Sequence, residues 1–122
     1  MTNNDTGKQA ETAVQHFLCS KSLKFITNNY SCRQGEIDLI MMDKGQLVFV
    51  EVKYRKNHHF GAGFDHVTPK KQQRIITTAR YYLHQHKLTE KISSRFDVVS
   101  VEPVKNELLN DFSFKWFKNA FF

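Results

Sequence analysis

The chain has few of the residues that build disulfide frameworks, zinc ribbons or membrane spans. Its 122 residues include two cysteines and two prolines. Cys19 and Cys32 do not form a C-x-x-C motif, which excludes a zinc ribbon and a dithiol redox site. The polar N-terminus has no signal-peptide pattern, and every apolar run is shorter than the roughly 20 residues that cross a bilayer. We therefore expect a cytoplasmic protein with reduced thiols, no membrane partner and one domain over residues 1–122.

Acidic residues are also scarce relative to basic ones. The chain has 18 Lys and Arg against 12 Asp and Glu, which gives a formal net charge of +6 and a pI of about 9.4. Such a balance is typical of domains that bind polyanions, and nucleic acid is the expected partner. Solubility alone can also account for a basic composition.

The most informative segment is an apolar run, Gln46 to Arg55, that becomes charged toward its end. Alternate side chains of a strand share a face, so Glu51 and Lys53 would point the same way while valines line the opposite face. Charges in such a run need a partner or a metal ion to offset their burial. A plain Glu51–Lys53 ion pair at an exposed strand end explains the pattern equally well.

A second acidic strand precedes this one. Gly35 to Met42 reads as a strand, and the three-residue loop Asp43-Lys44-Gly45 would fold it back as a β-hairpin. That register places Asp38 beside Glu51, and the converging carboxylates would suit Mg²⁺, or Mn²⁺, as a hard cation with oxygen ligands. Carboxylates on a solvated face remain the alternative.

A third carboxylate is expected from an N-terminal helix. Thr6 and Gln9 resemble a capping box, and apolar residues at helical spacing predict a helix from about Gly7 to Ser20. Glu11 lies at the edge of the apolar stripe, from which it can reach the sheet. It would also stabilise the helix dipole without any further role. The stripe consists of Ala10, Val14, Phe17 and Leu18.

A second helix is predicted from Pro69 to about His86, with Thr68 as its cap. Helix N-termini attract phosphate, and the first turns here carry a cluster of cations. We expect these residues to contact a nucleic-acid backbone without reading its sequence, although they would equally suit a solvated surface. The candidate contacts are Lys70, Lys71, Gln72 and Arg74, and the inward stripe is Ile75, Ile76, Ala79, Tyr82 and Leu83.

The remaining segments complete an α/β sheet. Strands are predicted over Lys24 to Tyr30, over Arg95 to Glu102, and near the end of the chain, where Phe112, Phe114 and Trp116 share a face. The final aromatics, Phe117, Phe121 and Phe122, are expected to close the core, with a dimerisation patch as the alternative. Between the hairpin and the second helix lies a polar loop in which Phe60 and Phe64 would anchor to the core or stack on bases.

Three segments taken in order resemble the YraN family. They are Gly7 to Glu11, Gly35 to Ile40, and Val48 to Arg55. Proteins of that family are small bacterial proteins similar to the PD-(D/E)-x-K nucleases, especially the archaeal Holliday-junction resolvases. The resemblance implies a restriction-endonuclease-like α/β fold, in which helices flank a mixed five-stranded sheet in the order α-β-β-β-α-β with a final strand. Ile37 stands where the motif's name has proline.

The resemblance also implies roles for individual residues. Glu11 would be the helix-borne acid, Asp38 the central metal ligand, Glu51 the second ligand and Lys53 the motif lysine. Arg55 would join the cations that contact nucleic acid. The implied activity is Mg²⁺-dependent hydrolysis of phosphodiester bonds in branched or structured DNA, with a homodimer as a hypothesis for two-fold symmetric substrates. A catalytically inactive nucleic-acid-binding or protein-interaction module on the same fold is the alternative.

Overall fold

The described residues form two helices on either side of a mixed five-stranded sheet. The structure is a computed structural model that describes residues 3–55, 67–104 and 112–121, with side chains from residue 7 onward. The elements are α1 (Asn3–Ser20), β1 (Lys24–Cys32), β2 (Gly35–Asp43), β3 (Gln46–Tyr54), α2 (Pro69–Gln85), β4 (Ser94–Pro103) and β5 (Phe112–Phe121). These described strands lie in the order β1-β2-β3-β4-β5; β3 and β4 pair in parallel, and the other neighbours pair antiparallel. The restriction-endonuclease-like order expected from the resemblance is confirmed.

The alternation predicted for β3 divides the core into two layers. Leu47 and Phe49 pack beneath α2, whereas Val48 and Val50 pack beneath α1. Because both faces are covered, the strand is apolar on both sides until Glu51. The α2 layer also contains Ile37, Ile40, Ile75, Ala79, Tyr82, Phe96, Val98 and Phe121, and the α1 layer contains Ala10, Val14, Leu18, Leu39, Met41, Val99 and Val101.

The β2–β3 hairpin has a shorter loop than predicted. Asp43 pairs with Gln46, so the loop contains two residues and the predicted three-residue loop is wrong. Lys44 and Gly45 both have positive φ, 50° and 85°. Two consecutive residues with positive φ form the type I′ turn, whose twist matches that of the flanking strands. Leu39 pairs with Val50, and the register set by this two-residue loop places Asp38 opposite Glu51. The expected proximity of the two residues is therefore present.

Helix α1 begins one turn earlier than predicted. It starts at Asn3 instead of Gly7, so Thr6 lies inside the helix and does not cap it. No proline interrupts residues 3–7, and the helix therefore continues through this polar stretch. The predicted stripe is correct, since Ala10, Val14 and Leu18 are buried and Phe17 stacks on Phe114 with ring centroids 4.5 Å apart.

Helix α2 has the predicted start and end. Thr68 caps it by accepting a hydrogen bond from the Lys71 amide at 3.2 Å, and Pro69 occupies the first turn. The helix approaches β2 closely at Gly35, where an added Cβ would lie 3.1 Å from Thr78 Oγ1. Thr78 is fully buried, although the predicted stripe did not include it. Its hydroxyl donates to the carbonyl of Arg74 at 2.8 Å, and this hydrogen bond offsets the free-energy cost of burying the hydroxyl.

A buried carboxylate joins β5 to β4. Asp97 has no exposed surface, and it accepts hydrogen bonds from Arg95 Nε at 3.1 Å, Trp116 Nε1 at 2.9 Å and the Asn119 amide at 2.9 Å. The Asn119 contact lies where the β4–β5 register shifts between Phe96 and Val98. Asp97 therefore stabilises the edge strand at its irregular point.

The C-terminal aromatics have different environments. Phe121 is buried against Phe96, with ring centroids 5.1 Å apart, while Phe117 is 38% exposed. Core closure is thus correct for Phe121 and wrong for Phe117. Phe122, Phe60 and Phe64 lie outside the described residues, and so does the whole of the predicted polar loop, residues 56–66. Within the described part of the chain, neither helix has the length and apolar character to cross a membrane.

Candidate metal and phosphate site

Asp38 and Glu51 meet where the β2–β3 ladder ends. The last backbone pair before them is Leu39 with Val50, and beyond it the Asp38 carboxylate replaces a backbone acceptor. Asp38 Oδ2 accepts a hydrogen bond from the Val52 amide at 2.8 Å. The Asp38 carboxyl group also interacts with that of Glu51, which is only 5% exposed. Two carboxyl groups therefore share one shielded position at the end of the central strands.

The proximity of these carboxyl groups changes the acidity of Asp38. Burial, followed by the charge of Glu51, raises the pKa of Asp38 from 3.8 to about 8, although the hydrogen bond from Val52 opposes the rise. Like charges at this distance disfavour double ionisation. A positive charge at this position would therefore stabilise the ionised pair.

Lys71 supplies such a charge. Its Nζ lies 2.5 Å from Glu51 Oε2. Burial alone lowers the pKa of Lys71, but the hydrogen bond to Glu51 and the charges of Glu51, Asp38 and Glu36 raise it above the usual value. The Glu51–Lys53 ion pair considered from the sequence is not formed, and Glu51 pairs with Lys71 instead.

Lys53 lies two residues beyond Glu51 on β3 and is partly buried. It pairs with Ser100 in the ladder between β3 and β4. Within the described ranges, no hydrogen bond or ion pair involves the Lys53 side chain. Its ammonium is thus not committed to a structural contact there. Arg55 follows, and its amide donates to the Val101 carbonyl at 2.8 Å.

Glu11 approaches the same end of the sheet from α1. Its side chain interacts with that of Asn29 on β1. Burial raises the pKa of Glu11, the interaction with Asn29 lowers it, and the charges of Glu36 and Glu51 raise it further. The helix-borne acid thus lies in the electrostatic field of the carboxylate pair, as expected from its position on the stripe. Sequence reasoning missed Asn29, because its contact depends on how α1 docks against β1.

A cleft opens beside the carboxylate pair, between the N-terminus of α2 and the β1–β2 connection. It has a volume of about 620 Å³ and is lined by Glu36 and by a wall of cations. That wall consists of Lys70, Lys71 and Arg74. Three of the predicted phosphate contacts are therefore brought together, and one of them, Lys71, also contacts the predicted metal ligand Glu51.

Gln72 is placed differently from the other predicted phosphate contacts. Its Nε2 donates to the carbonyl of Val67 at 2.8 Å. The side-chain amide therefore holds the segment that enters α2. This geometry favours Lys70 and Arg74, which are exposed, over Gln72 for contact with a phosphate.

The donor set fits a hard divalent cation. Mg²⁺ in phosphate-processing sites is typically held by one or two carboxylates together with waters and substrate phosphates. Asp38 and Glu51 supply two such carboxylates, and their mutual repulsion would be relieved by the ion. Among the residues that the structure describes, no group of three or more His, Cys, Asp or Glu side chains is arranged to hold a metal. A third ligand from Glu11 therefore stays a prediction.

Comparison with known proteins agrees with the resemblance. The family described as "Uncharacterised protein family UPF0102" matches residues 10–101. A UPF0102 protein of Nitrosococcus oceani is 41% identical over 120 residues, which cover 98% of this chain and 94% of the relative. A UPF0102 protein of Coxiella burnetii is 45% identical over 93% of this chain and 89% of its own length. A UPF0102 protein of Legionella pneumophila is 39% identical, with coverage of 96% and 94%.

Proposed function

The chain belongs to the UPF0102 family, the YraN family that its motifs resemble, and on that premise we propose that it is a metal-dependent nuclease. The substrate would be nucleic acid, with branched or structured DNA as the expected form. The observation that carries the proposal is the meeting of Asp38 and Glu51 at a shielded strand end beside a cationic cleft. A purely structural pair of carboxyl groups would gain nothing from such mutual repulsion.

In this proposal each residue has a defined task. Asp38 and Glu51 would hold Mg²⁺, or Mn²⁺, with Glu11 as a further acid. A bound divalent cation supplies Lewis-acid polarisation of a phosphodiester oxygen. Lys53 orients the attacking water and offsets the negative charge that develops on the phosphate. The attacking water forms a bond to phosphorus and releases a proton, the P–O3′ bond breaks, and the leaving 3′ oxygen takes up a proton. The products have 5′-phosphate and 3′-hydroxyl ends.

The cationic wall of the cleft would position the substrate. Lys70 and Arg74 contact backbone phosphates, which fixes register without reading sequence. Arg55, at the end of β3, extends this surface. The activity belongs in the cytoplasm, in keeping with the free thiols of Cys19 and Cys32. A homodimer would match the two-fold symmetry of a four-way junction.

Cleavage assays test this function. Purified protein is incubated with branched and linear DNA in Mg²⁺, Mn²⁺ or EDTA, and wild type is compared with Asp38→Asn, Glu51→Gln and Lys53→Met. We expect wild type to cleave DNA in Mg²⁺ or Mn²⁺ but not in EDTA. The cleavage rate of each variant should fall by about 100-fold or more, as is typical when one electrostatic group of a site is removed.

Asp43→Asn is the matched control. Asp43 is a carboxylate on the same strand as Asp38, but at the other end, where it pairs with Arg95 at 2.9 Å. Its variant should cleave like wild type once folding is verified by circular dichroism. Cleavage that persists in all three site variants would reveal a contaminant and remove the support for the proposal. Tight binding in EDTA without cleavage in any metal would instead favour the inactive binding module.

A further inference from the structure

The Lys71–Glu51 contact places an internal cation on the carboxylate that the proposed metal requires. Glu51 is 5% exposed, and its Oε2 lies 2.5 Å from Lys71 Nζ. The charges of Asp38 and Glu36 act on the same ammonium group. A divalent ion on Glu51 would lie next to this ammonium and be repelled by it. The two cations therefore compete for one anionic position.

Lys71 can leave that position without unfolding any element. Its side chain is 47% exposed and lines the cleft with Lys70 and Arg74. The backbone at Lys71 is held by the Thr68 cap, so that rotation of the four-carbon side chain alone moves the ammonium. The cleft beside it offers space for a phosphate group of a bound nucleic acid.

We propose that Lys71 is the resident counter-cation of the carboxylate pair, and that a divalent ion displaces it into the cleft, where it binds a substrate phosphate. The inference rests on the proposed function, because the ion is the one assigned there. Lys71 is thus a positioning residue that couples metal binding to substrate binding. Such coupling is reciprocal, so nucleic acid should also raise the affinity for the metal.

Metal affinity without nucleic acid gives the direct test. Mn²⁺ binding is titrated by electron paramagnetic resonance of the free ion, and Mg²⁺ binding by calorimetry, for wild type, Lys71→Gln and Lys70→Gln. Loss of the competing charge should tighten metal binding of Lys71→Gln by about fivefold or more, within the usual range of coupling between sites. Lys70→Gln removes the same charge from the same cleft without touching Glu51, and its metal affinity should stay close to that of wild type.

A second measurement follows the ammonium itself. Nitrogen-15 NMR of lysine side chains, with the Lys71 signal assigned from its absence in Lys71→Gln, should show a protected ammonium in EDTA. Added Mg²⁺ should abolish that protection, and it should fail to do so in Asp38→Asn. A role confined to stability would leave this signal insensitive to the metal.

The outcomes separate this inference from the proposed function. If wild type binds metal in a manner that needs Asp38, but Lys71→Gln binds it no more tightly than Lys70→Gln, then the exchange of cations is wrong and the nuclease proposal stands. If wild type shows no metal binding, or only binding that Asp38→Asn leaves intact, both the exchange of cations and the nuclease proposal are overturned. The circular dichroism spectrum of Lys71→Gln should match that of wild type, which shows that the variant is folded and that any change in metal affinity arises at the site.

Discussion

At the scale of single residues, two opposing effects act on the pKa of Asp38. The Val52 amide stabilises its carboxylate form, whereas burial and Glu51 stabilise its protonated form, and the second effect is larger. The pKa of Asp38 is therefore raised to about 8 in the folded protein. In an unfolded chain, the same group would ionise near its ordinary pKa of 3.8.

This difference predicts how stability depends on pH in the absence of metal. Between about pH 4 and pH 8 the folded state keeps a proton that the unfolded state has released, so the free energy of unfolding should fall as pH rises through this window. Urea unfolding in EDTA at pH 5, 6.5 and 8 measures it. Asp38→Asn cannot ionise, so it should gain stability relative to wild type as pH increases. Parallel curves for the two proteins would contradict the raised pKa.

Metal binding at the carboxylate pair should also depend on pH. A divalent ion competes with the proton for the carboxylate pair, so its affinity should increase with pH over this range. Mg²⁺ should then raise the melting temperature of wild type more at pH 8 than at pH 5, and it should leave that of Asp38→Asn nearly unchanged.

At the scale of secondary-structure elements, α2 brings the cations to the site. It connects the parallel strands β3 and β4, so it runs back across the sheet and its first turn lies at the end of β3 that carries Glu51. The Thr68 cap fixes this turn, because its side chain accepts from the Lys71 amide. The cap therefore supports the residue that contacts Glu51.

Removal of the cap should destabilise the protein. We expect Thr68→Ala to lower the free energy of unfolding by about 1 kcal/mol, as is usual for loss of an N-cap side chain. Thr68→Ser retains the hydroxyl and should lose much less. Urea titrations followed by circular dichroism compare the three proteins. Equal stability of the alanine and serine variants would show that the cap contributes nothing.

At the scale of the whole molecule, the net charge of +6 is arranged unevenly around the site. Lys70, Lys71 and Arg74 line one cleft, and Lys71 contacts Glu51 of the carboxylate pair beside it. A polyanion would be repelled from the acidic end unless a metal were present, and it would be attracted to the cationic wall. The charge distribution thus favours binding of nucleic acid across the cleft.

The salt dependence of binding tests this arrangement. Each phosphate contact contributes about 0.9 to the slope of log affinity against log salt for duplex DNA, because it releases counterions. The double variant Lys70→Gln with Arg74→Gln should therefore lower the slope by about 2, measured by fluorescence anisotropy in EDTA. A control with Lys44→Gln and Lys118→Gln has the same net charge and should keep the slope of wild type. Identical slopes in the two double variants would show that the cleft is not the binding surface.

Much of the candidate site could be predicted because its parts are local in sequence. The alternation of β3 and the apolar stripe of α1 follow from strand and helix periods, and they place Glu51 and Glu11 correctly on their elements. The proximity of Asp38 and Glu51 was expected from a hairpin, whose strands are joined by a short loop. The loop itself was assigned one residue too many, since Asp43 reads as a turn residue but pairs with Gln46.

The sequence by itself determined the elements, their order, their buried faces and the pairing of two carboxylates across a hairpin. Tertiary structure alone decided the partners that lie far apart along the chain. Lys71 contacts Glu51 from 20 positions away, Asn29 contacts Glu11 from another element, and Asp97 binds Trp116 and Asn119 across β4 and β5. Such contacts depend on the docking of helices and edge strands, which the local periods of a sequence do not encode.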